Sequence, residues 1–457
     1  MHPFRAFLWG APRLSTSLLA LWLIPALHLR AGEEPGAADP DAPVTRAEFD
    51  RVLEELSRLR NEGLRPGDPA ATPPREDAGR LPAGQGGIFD KPFLRRVTPQ
   101  AYLGGYFDVE YRNAENADHD FRHHRFVPFI YADIHERIRF ASEVEIEDGS
   151  DVGIEFAHID VEIFRPASFR GGVILDPLGK FNLIHDSPIY DLTDRPLVNQ
   201  FVIPTTLREI GVGLFGTLTP LNSAWEVTYE AYLTSGFKGL SDDPAVAPAI
   251  SRASGVRGAR PSTEALGTRS FGDNNNAFAG VGRVSVSPML GFEVGASAHH
   301  GAYDEGGDND MTIAALDMSW RIPEITPCDI PIGPIEILAE GAYAFIERDS
   351  FARARGVPDD MWGYYVQANY HFLPERYLPA GTKLTTSIFP ESTFTLVGQW
   401  GQVDLDGNRM QRATVGLNFR PVESTVFKLD YQFNRGTGLA PDSADDDAFL
   451  ASLASYF

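Results

Sequence analysis

The stretch Trp362-Gly363-Tyr364-Tyr365-Val366-Gln367-Ala368-Asn369-Tyr370-His371-Phe372 changes character at every step. Successive side chains of an extended strand point to opposite faces. Trp362, Tyr364, Val366, Ala368, Tyr370 and Phe372 therefore share one face, and Gly363, Tyr365, Gln367, Asn369 and His371 the other. A helical period of 3.6 residues would mix the two sets. The pattern recurs along the chain. Phe427, Leu429, Tyr431 and Phe433 oppose Lys428, Asp430, Gln432 and Asn434. Trp225, Val227, Tyr229, Ala231 and Leu233 oppose Glu226, Thr228, Glu230 and Tyr232, and Ala413, Val415, Leu417 and Phe419 oppose Arg412, Thr414, Gly416, Asn418 and Arg420. A soluble sandwich also alternates, so alternation alone does not decide the fold. Its extent does: nearly every segment after residue 100 carries it for about ten residues, the length of a tilted membrane-crossing strand.

Sixteen such segments are expected, at 101–112, 124–134, 137–148, 152–164, 169–176, 206–218, 224–236, 277–287, 290–300, 311–322, 335–347, 361–372, 392–402, 410–420, 424–435 and 447–457. The reading is all-β, a transmembrane antiparallel β-barrel of about sixteen strands over residues 99–457. An even count puts both barrel ends on one side. The connections then alternate between short periplasmic turns and outer ones that include 177–205 and 237–276, although 323–334 and 373–391 are long for inner turns. The fourth segment switches face near Ala157, which predicts a bulge. The last segment ends on Ala454-Ser455-Tyr456-Phe457, similar to the terminal signal of outer-membrane barrels.

Composition narrows the function classes. With 40 Lys and Arg against 63 Asp and Glu, the formal charge is −23, and the chain is not expected to bind nucleic acid, whose phosphates demand clustered cations. Mean hydropathy is negative, and after the N-terminus no apolar run is long enough for a spanning helix. The one cysteine, Cys328, permits no internal disulfide. Residues 1–31 read as a signal peptide, with Arg5 and Arg13 before the short apolar run Leu18 to Leu27. Residues 32–98 read as a periplasmic linker with a short α-helix at 46–62. Thr45 and Glu48 form its capping box, and Phe49, Val52, Leu56 and Leu59 form a seam of about two heptads. A short trimeric coiled coil and an amphipathic helix on the barrel mouth both fit that seam.

A capped helix before about sixteen strands resembles the porin family that includes the phosphate-selective porins O and P. The most specific words are Gly171-Gly172-Val173-Ile174-Leu175-Asp176-Pro177-Leu178-Gly179-Lys180-Phe181-Asn182-Leu183-Ile184-His185-Asp186, continuing through Asp191-Leu192-Thr193-Asp194-Arg195-Pro196-Leu197-Val198 to Gly211-Val212-Gly213. The resemblance covers 45–457 as architecture. It implies a passive outer-membrane porin whose third outer loop folds inward, small hydrophilic solutes or ions as cargo, homotrimers, and lipid and lipopolysaccharide as surroundings. His185, Asp186, Asp191, Asp194 and Arg195 are the expected constriction residues. Phe181, Ile184, Ile189, Leu192 and Leu197 are anchors that a water-exposed loop would not need.

The expected lumen wall is mostly acidic: Glu143, Glu145, Glu147, Asp160, Glu162, Glu226, Glu230, Glu293, Asp317, Glu336 and Glu340. Its expected cations are Arg283, Arg321, Arg412, Arg420 and Lys428. Carboxylate rings favour cations, so the pore is expected to be non-specific or cation-preferring, without phosphate selectivity. Arg252, Arg257, Arg260 and Arg269 are expected to form a solvated basic loop, with an anion funnel as the alternative. The pairs His123-His124 and His299-His300 are expected at the surface, since strand neighbours cannot chelate together. Asp404-Leu405-Asp406-Gly407-Asn408 lacks the later ligands of a calcium loop and reads as a hairpin. No metal, cofactor or catalytic residue is implied. An outer-membrane barrel with an enzymatic or adhesive role, and a secreted soluble all-β protein, are the alternatives.

Overall fold

The computed structural model describes residues 94–98, 100–115, 118–164, 166–220, 225–259, 275, 277–323, 333–373, 389, 392–437 and 446–457. The signal peptide, the linker helix and Cys328 lie outside them. A two-residue strand β1 (Arg95–Arg96) precedes sixteen long ones: β2 (Ala101–Ala114), β3 (Asp120–His135), β4 (Ile138–Glu147), β5 (Asp151–Phe164), β6 (Ala167–Leu175), β7 (Arg208–Leu218), β8 (Glu226–Thr234) and β9 (Ala279–Met289) form the first half. The second half is β10 (Phe292–Ala302), β11 (Asp310–Ile322), β12 (Ile335–Ile346), β13 (Asp360–Phe372), β14 (Thr393–Leu405), β15 (Asn408–Val422), β16 (Thr425–Thr437) and β17 (Ala448–Tyr456). Each pairs antiparallel with the next, and β17 pairs with β2 from Ala448↔Ala114 to Tyr456↔Tyr106, closing the barrel. All sixteen predicted segments are found.

Burial runs inside out. Leu316 is 68% exposed and Leu429 51%, while Asn418 is 0% and Asp430 1%. On β13 Tyr364, Val366 and Ala368 are exposed and Tyr365, Gln367 and Asn369 buried. A protein in water could not keep this arrangement, because it would hydrate its largest apolar surface. Lipid around the outer face resolves it. Aromatic rings line one rim of that face: Phe372, Phe394, Phe419 and Phe427 follow one another at centroid distances of 5.9, 4.9 and 6.3 Å, as interfacial aromatic girdles do.

Two bulges shape the inner face. Between Glu143↔Phe156 and Val144↔Ile154 the ladder skips Glu155, so Glu155 and Phe156 are both buried. This is the face switch expected near Ala157. On β3 an extra residue intervenes between Asp108↔Arg125 and Glu110↔Arg122, and His124 and Arg125 are both buried. Asp406 and Gly407, at φ 54° and 88°, make the two-residue hairpin between β14 and β15, with Leu405 opposite Asn408. Positive φ at both positions is what such turns require.

Candidate functional site

The connection from β6 to β7, residues 176–207, lies inside the barrel rather than over its mouth. Its side chains Leu178, Phe181, Leu183, Leu192, Leu197, Val198, Val202, Ile203 and Leu207 are all buried. A single carboxylate, Glu340 on β12, receives the backbone N–H of Lys180 (2.7 Å) and Phe181 (2.9 Å) and the Asn199 amide (2.6 Å). Asn182 closes the loop's stem by donating to the carbonyls of Asp176 and Leu207 and accepting from the Leu207 N–H. Further round the wall, Lys428 donates to the carbonyls of Ser187 (2.8 Å) and Leu192 (3.0 Å), and Asp430 accepts from the Thr193 N–H.

The next outer connection, between β8 and β9, packs on top of this one. Phe237, Leu240, Ile250, Val256 and Ala259 join the loop's apolar residues in one cluster, which also takes in Met311, Ile313, Ala342, Ala344, Met361 and Val403 from the wall. The Val256 N–H donates to the Phe201 carbonyl at the end of the short helix α1 (Leu197–Phe201). At Gly255 a Cβ would stand 2.2 Å from that same carbonyl, so only glycine lets the two connections meet there. One half of the lumen is thus filled with apolar side chains.

The other half holds a polar cavity of about 310 Å³. Its wall comes from β2 to β5, the start of β7, and β15. Arg112, Arg122, Arg125, Arg195, Arg208, Arg257 and Arg412 line it, facing Glu110, Glu145, Glu147, Asp151 and Asp194, with His124 among them. His124 Nδ1 lies 2.7 Å from Glu110 and 3.3 Å from Asp108. Arg125 pairs with Glu145 at 3.3 Å and Arg122 with Glu147 at 3.0 Å. Asp194 sits between Arg112 and Arg412 and accepts from Gln432 at 3.0 Å. Burial pushes its carboxyl up, but the two guanidinium charges outweigh that and hold it at about 2. Burial, with the Arg125 charge added, draws the Arg195 guanidinium down to about 10, so it stays charged at neutral pH.

The expected constriction residues separate into three groups. Asp194 and Arg195 face the cavity. His185 and Asp186 are turned into the wall: His185 hydrogen-bonds Glu155 and Thr206, and Asp186 accepts from the Tyr456 hydroxyl at 2.8 Å. Asp191 is held by Asn369, Asn418 and Arg420 beside a second cavity of about 150 Å³. Of the expected wall residues, Glu145, Glu147 and Arg412 line the larger cavity. Glu143 is buried, Glu226 lies toward the rim with the short turns, Glu230 pairs with Arg170, and Lys428 anchors the loop.

One expectation needs correction. One histidine of each pair is buried: His124 in the cavity wall and His299 at 0% exposure, with His123 and His300 outside. Of the basic loop, Arg257 lines the cavity and Arg252 pairs with Asp406 at the opposite outer turn; Arg260 and Arg269 lie outside the described residues. Arg122, Arg125, Arg208 and Glu155 were not expected at all. The face switch at the β5 bulge was the one sequence signal for Glu155.

Among known proteins, no family model matches the chain. An uncharacterized protein of Aquifex aeolicus (strain VF5) is 24% identical over 376 residues, 78% of this chain and 79% of that one. Similar solved structures include an anion-selective porin from Comamonas acidovorans (12% identity, 78% and 99% of the two chains, TM-score 0.48) and Salmonella typhi OmpF (10%, 78% and 97%, TM-score 0.47). The outer membrane channel DcaP of Acinetobacter baumannii is also similar (10%, 78% and 97%, TM-score 0.45). Likeness at this level says nothing about solute.

Proposed function

We propose that this protein is an outer-membrane porin through which small hydrophilic solutes or ions diffuse passively, assembled as a homotrimer in lipid and lipopolysaccharide. The observation that carries the reading is the polar cavity between the inward loop and the β2–β5 wall. It sits in the lumen of a barrel whose outer face is apolar, and ionised groups of both signs face each other across it. Charged walls facing one another across a water-sized gap sort solutes by size and charge and need no chemistry. The protein is then a channel and not an enzyme.

The acidic lumen faces favour cations, but many of those acids are neutralised at short range. Arg283 pairs with Asp317 and Glu293, Arg170 with Asp160 and Glu230, and Arg125 with Glu145. Within the cavity seven arginines face five carboxylates. A second reading follows from that balance, a mild anion preference set at the narrow point. Single-channel recording of the refolded protein under a KCl gradient tests both. Discrete steps with a reversal potential toward Cl⁻ support the arginine-set preference; a potential toward K⁺ returns selectivity to the acidic wall. A folded, inserted protein without conductance contradicts the porin reading itself.

A further inference from the structure

Asp176, Glu209 and His299 meet in the interior of the barrel, apart from both cavities described above. Asp176 is the first residue of the inward loop, Glu209 follows the loop as the second residue of β7, and His299 comes from β10. All three are completely buried. One ligand atom from each lies within 4.8 Å of the others, and Glu209 Oε1 stands 3.4 Å from His299 Nε2. Both carboxylate oxygens of Asp176, Glu209 Oε2 and His299 Nδ1 have no hydrogen-bond partner among the described residues. Nor does any lysine or arginine among those residues pair with either acid. Apolar groups stand nearby: the Phe237 ring lies edge-on to the imidazole at 4.8 Å between centroids, and Ile174 and Leu207, each two residues before one of the acids, belong to the buried apolar cluster.

Other buried acids of the lumen have such partners: Glu145, Asp160 and Asp317 meet arginines, and Glu340 meets backbone N–H groups. Two buried carboxylates with no counter-charge would each cost several kcal/mol. A divalent cation balances both at once. We propose that Asp176, Glu209 and His299 bind a divalent transition-metal ion of the zinc class. The donor set selects the metal: calcium and magnesium take oxygen ligands throughout, whereas zinc accepts imidazole nitrogen and carboxylate oxygen together. Adjacent donors around a tetrahedral zinc ion stand roughly 3.3 Å apart, given bonds of about 2.0–2.1 Å. The Glu209–His299 separation already has that value, and Asp176 needs only to close in. Three protein ligands leave the fourth position to water.

The consequence lies in where the three residues come from. Asp176 and Glu209 flank the loop's two stems, which are also joined by the Asp176 N–H donating to the Leu207 carbonyl at 3.1 Å. His299 belongs to a strand three places further round the wall. An ion at this point fastens both stems of the inward loop to β10, so metal occupancy governs how firmly the loop is held.

The test uses the full-length refolded protein, stripped with a chelator and titrated with ZnCl₂ by calorimetry, with Co²⁺ absorption reporting the ligand set. One equivalent per chain is expected, with Co²⁺ bands of a mixed nitrogen–oxygen site. Affinity should fall at least 100-fold in Asp176→Asn/Glu209→Gln, and zinc should raise the unfolding temperature of the wild type only. His300→Gln, which removes the exposed neighbour, should change nothing. His299→Gln keeps both acids and provides the reading should the double variant fail to insert. No stoichiometric binding by the inserted wild type would overturn the proposal. Undiminished binding in an inserted site variant would overturn it equally.

Discussion

The two halves of the lumen are built from the same alternating strands, yet they are closed in opposite ways. Along β9 to β14 the inward residues include Val281, Met311, Ile313, Ala342, Ala344, Met361 and Val403, and the two long outer connections fill the space against them. Along β2 to β5 the inward residues nearer the short turns, Tyr106, Val127, Phe129, Tyr131, Ala141 and Phe156, form a smaller apolar cluster, but above it Glu110, Arg112, His124, Arg125, Glu145 and Glu147 line a space that stays open. Apolar side chains gain by meeting one another, whereas ionised ones keep water beside them unless each is paired. The division of the lumen therefore follows from which residues occupy the inward positions, and the loop's own sequence matches it. Leu197, Val198, Val202 and Ile203 go to the filled half, and Asp194 and Arg195 turn to the open one.

The comparison breaks most readily at the loop's anchor. Glu340→Ala strands the two backbone N–H groups and the Asn199 amide that the carboxylate now receives. At about 1–3 kcal/mol for each buried donor left unmet, loop docking should lose on the order of 4 kcal/mol. Larger, noisier single-channel currents are the expected result, and unchanged current would mean that the loop is held elsewhere. Next is the apolar half itself. Ile203→Ala empties a fully buried site and should cost about 3 kcal/mol in chemical unfolding, with a smaller rise in conductance.

Acid probes the boundary between the halves. The Asp194 carboxyl is held at about 2, below its ordinary value near 4. A depressed carboxyl stabilises the fold above its unfolded pKa and loses that contribution as pH falls through the folded one. Asp194 should therefore supply about 2 kcal/mol at neutral pH, retained down to pH 4 and lost toward pH 2. Asp194→Asn should flatten that part of the stability profile, measured by tryptophan fluorescence. The smallest effect belongs to the cavity wall. Arg257→Ala should leave stability within about 0.5 kcal/mol and move the KCl reversal potential a few millivolts toward K⁺.

The barrel was legible because period-two alternation is a local property, written out in every strand. The hairpin at Asp406-Gly407 was legible for the same reason, since its backbone demands are met by two adjacent residues. The inward loop showed itself by carrying more apolar residues than a solvated loop would keep. The cavity was legible only in part. Strict alternation assigns one of every two residues inward, and the bulges on β3 and β5 break that rule where the site is built, placing Arg125 beside His124 and Phe156 beside Glu155. Arg208, at the start of β7, and Arg257, in an outer connection, follow no strand pattern. His299 was set aside because His300 points the other way. Its partners, Asp176 and Glu209, lie on other elements, and no spacing in the sequence announces them.

The central claim is that water and solute pass only between the loop and the β2–β5 wall. Single-channel current tests it most directly, in a Cys328→Ser background with one new cysteine and a bulky charged thiol reagent. At Gly153→Cys, on the cavity wall, the reagent should cut the current sharply; at Ala342→Cys, in the apolar half, it should do nothing. Block at Ala342→Cys with none at Gly153→Cys would place the path on the other side of the loop and contradict the account.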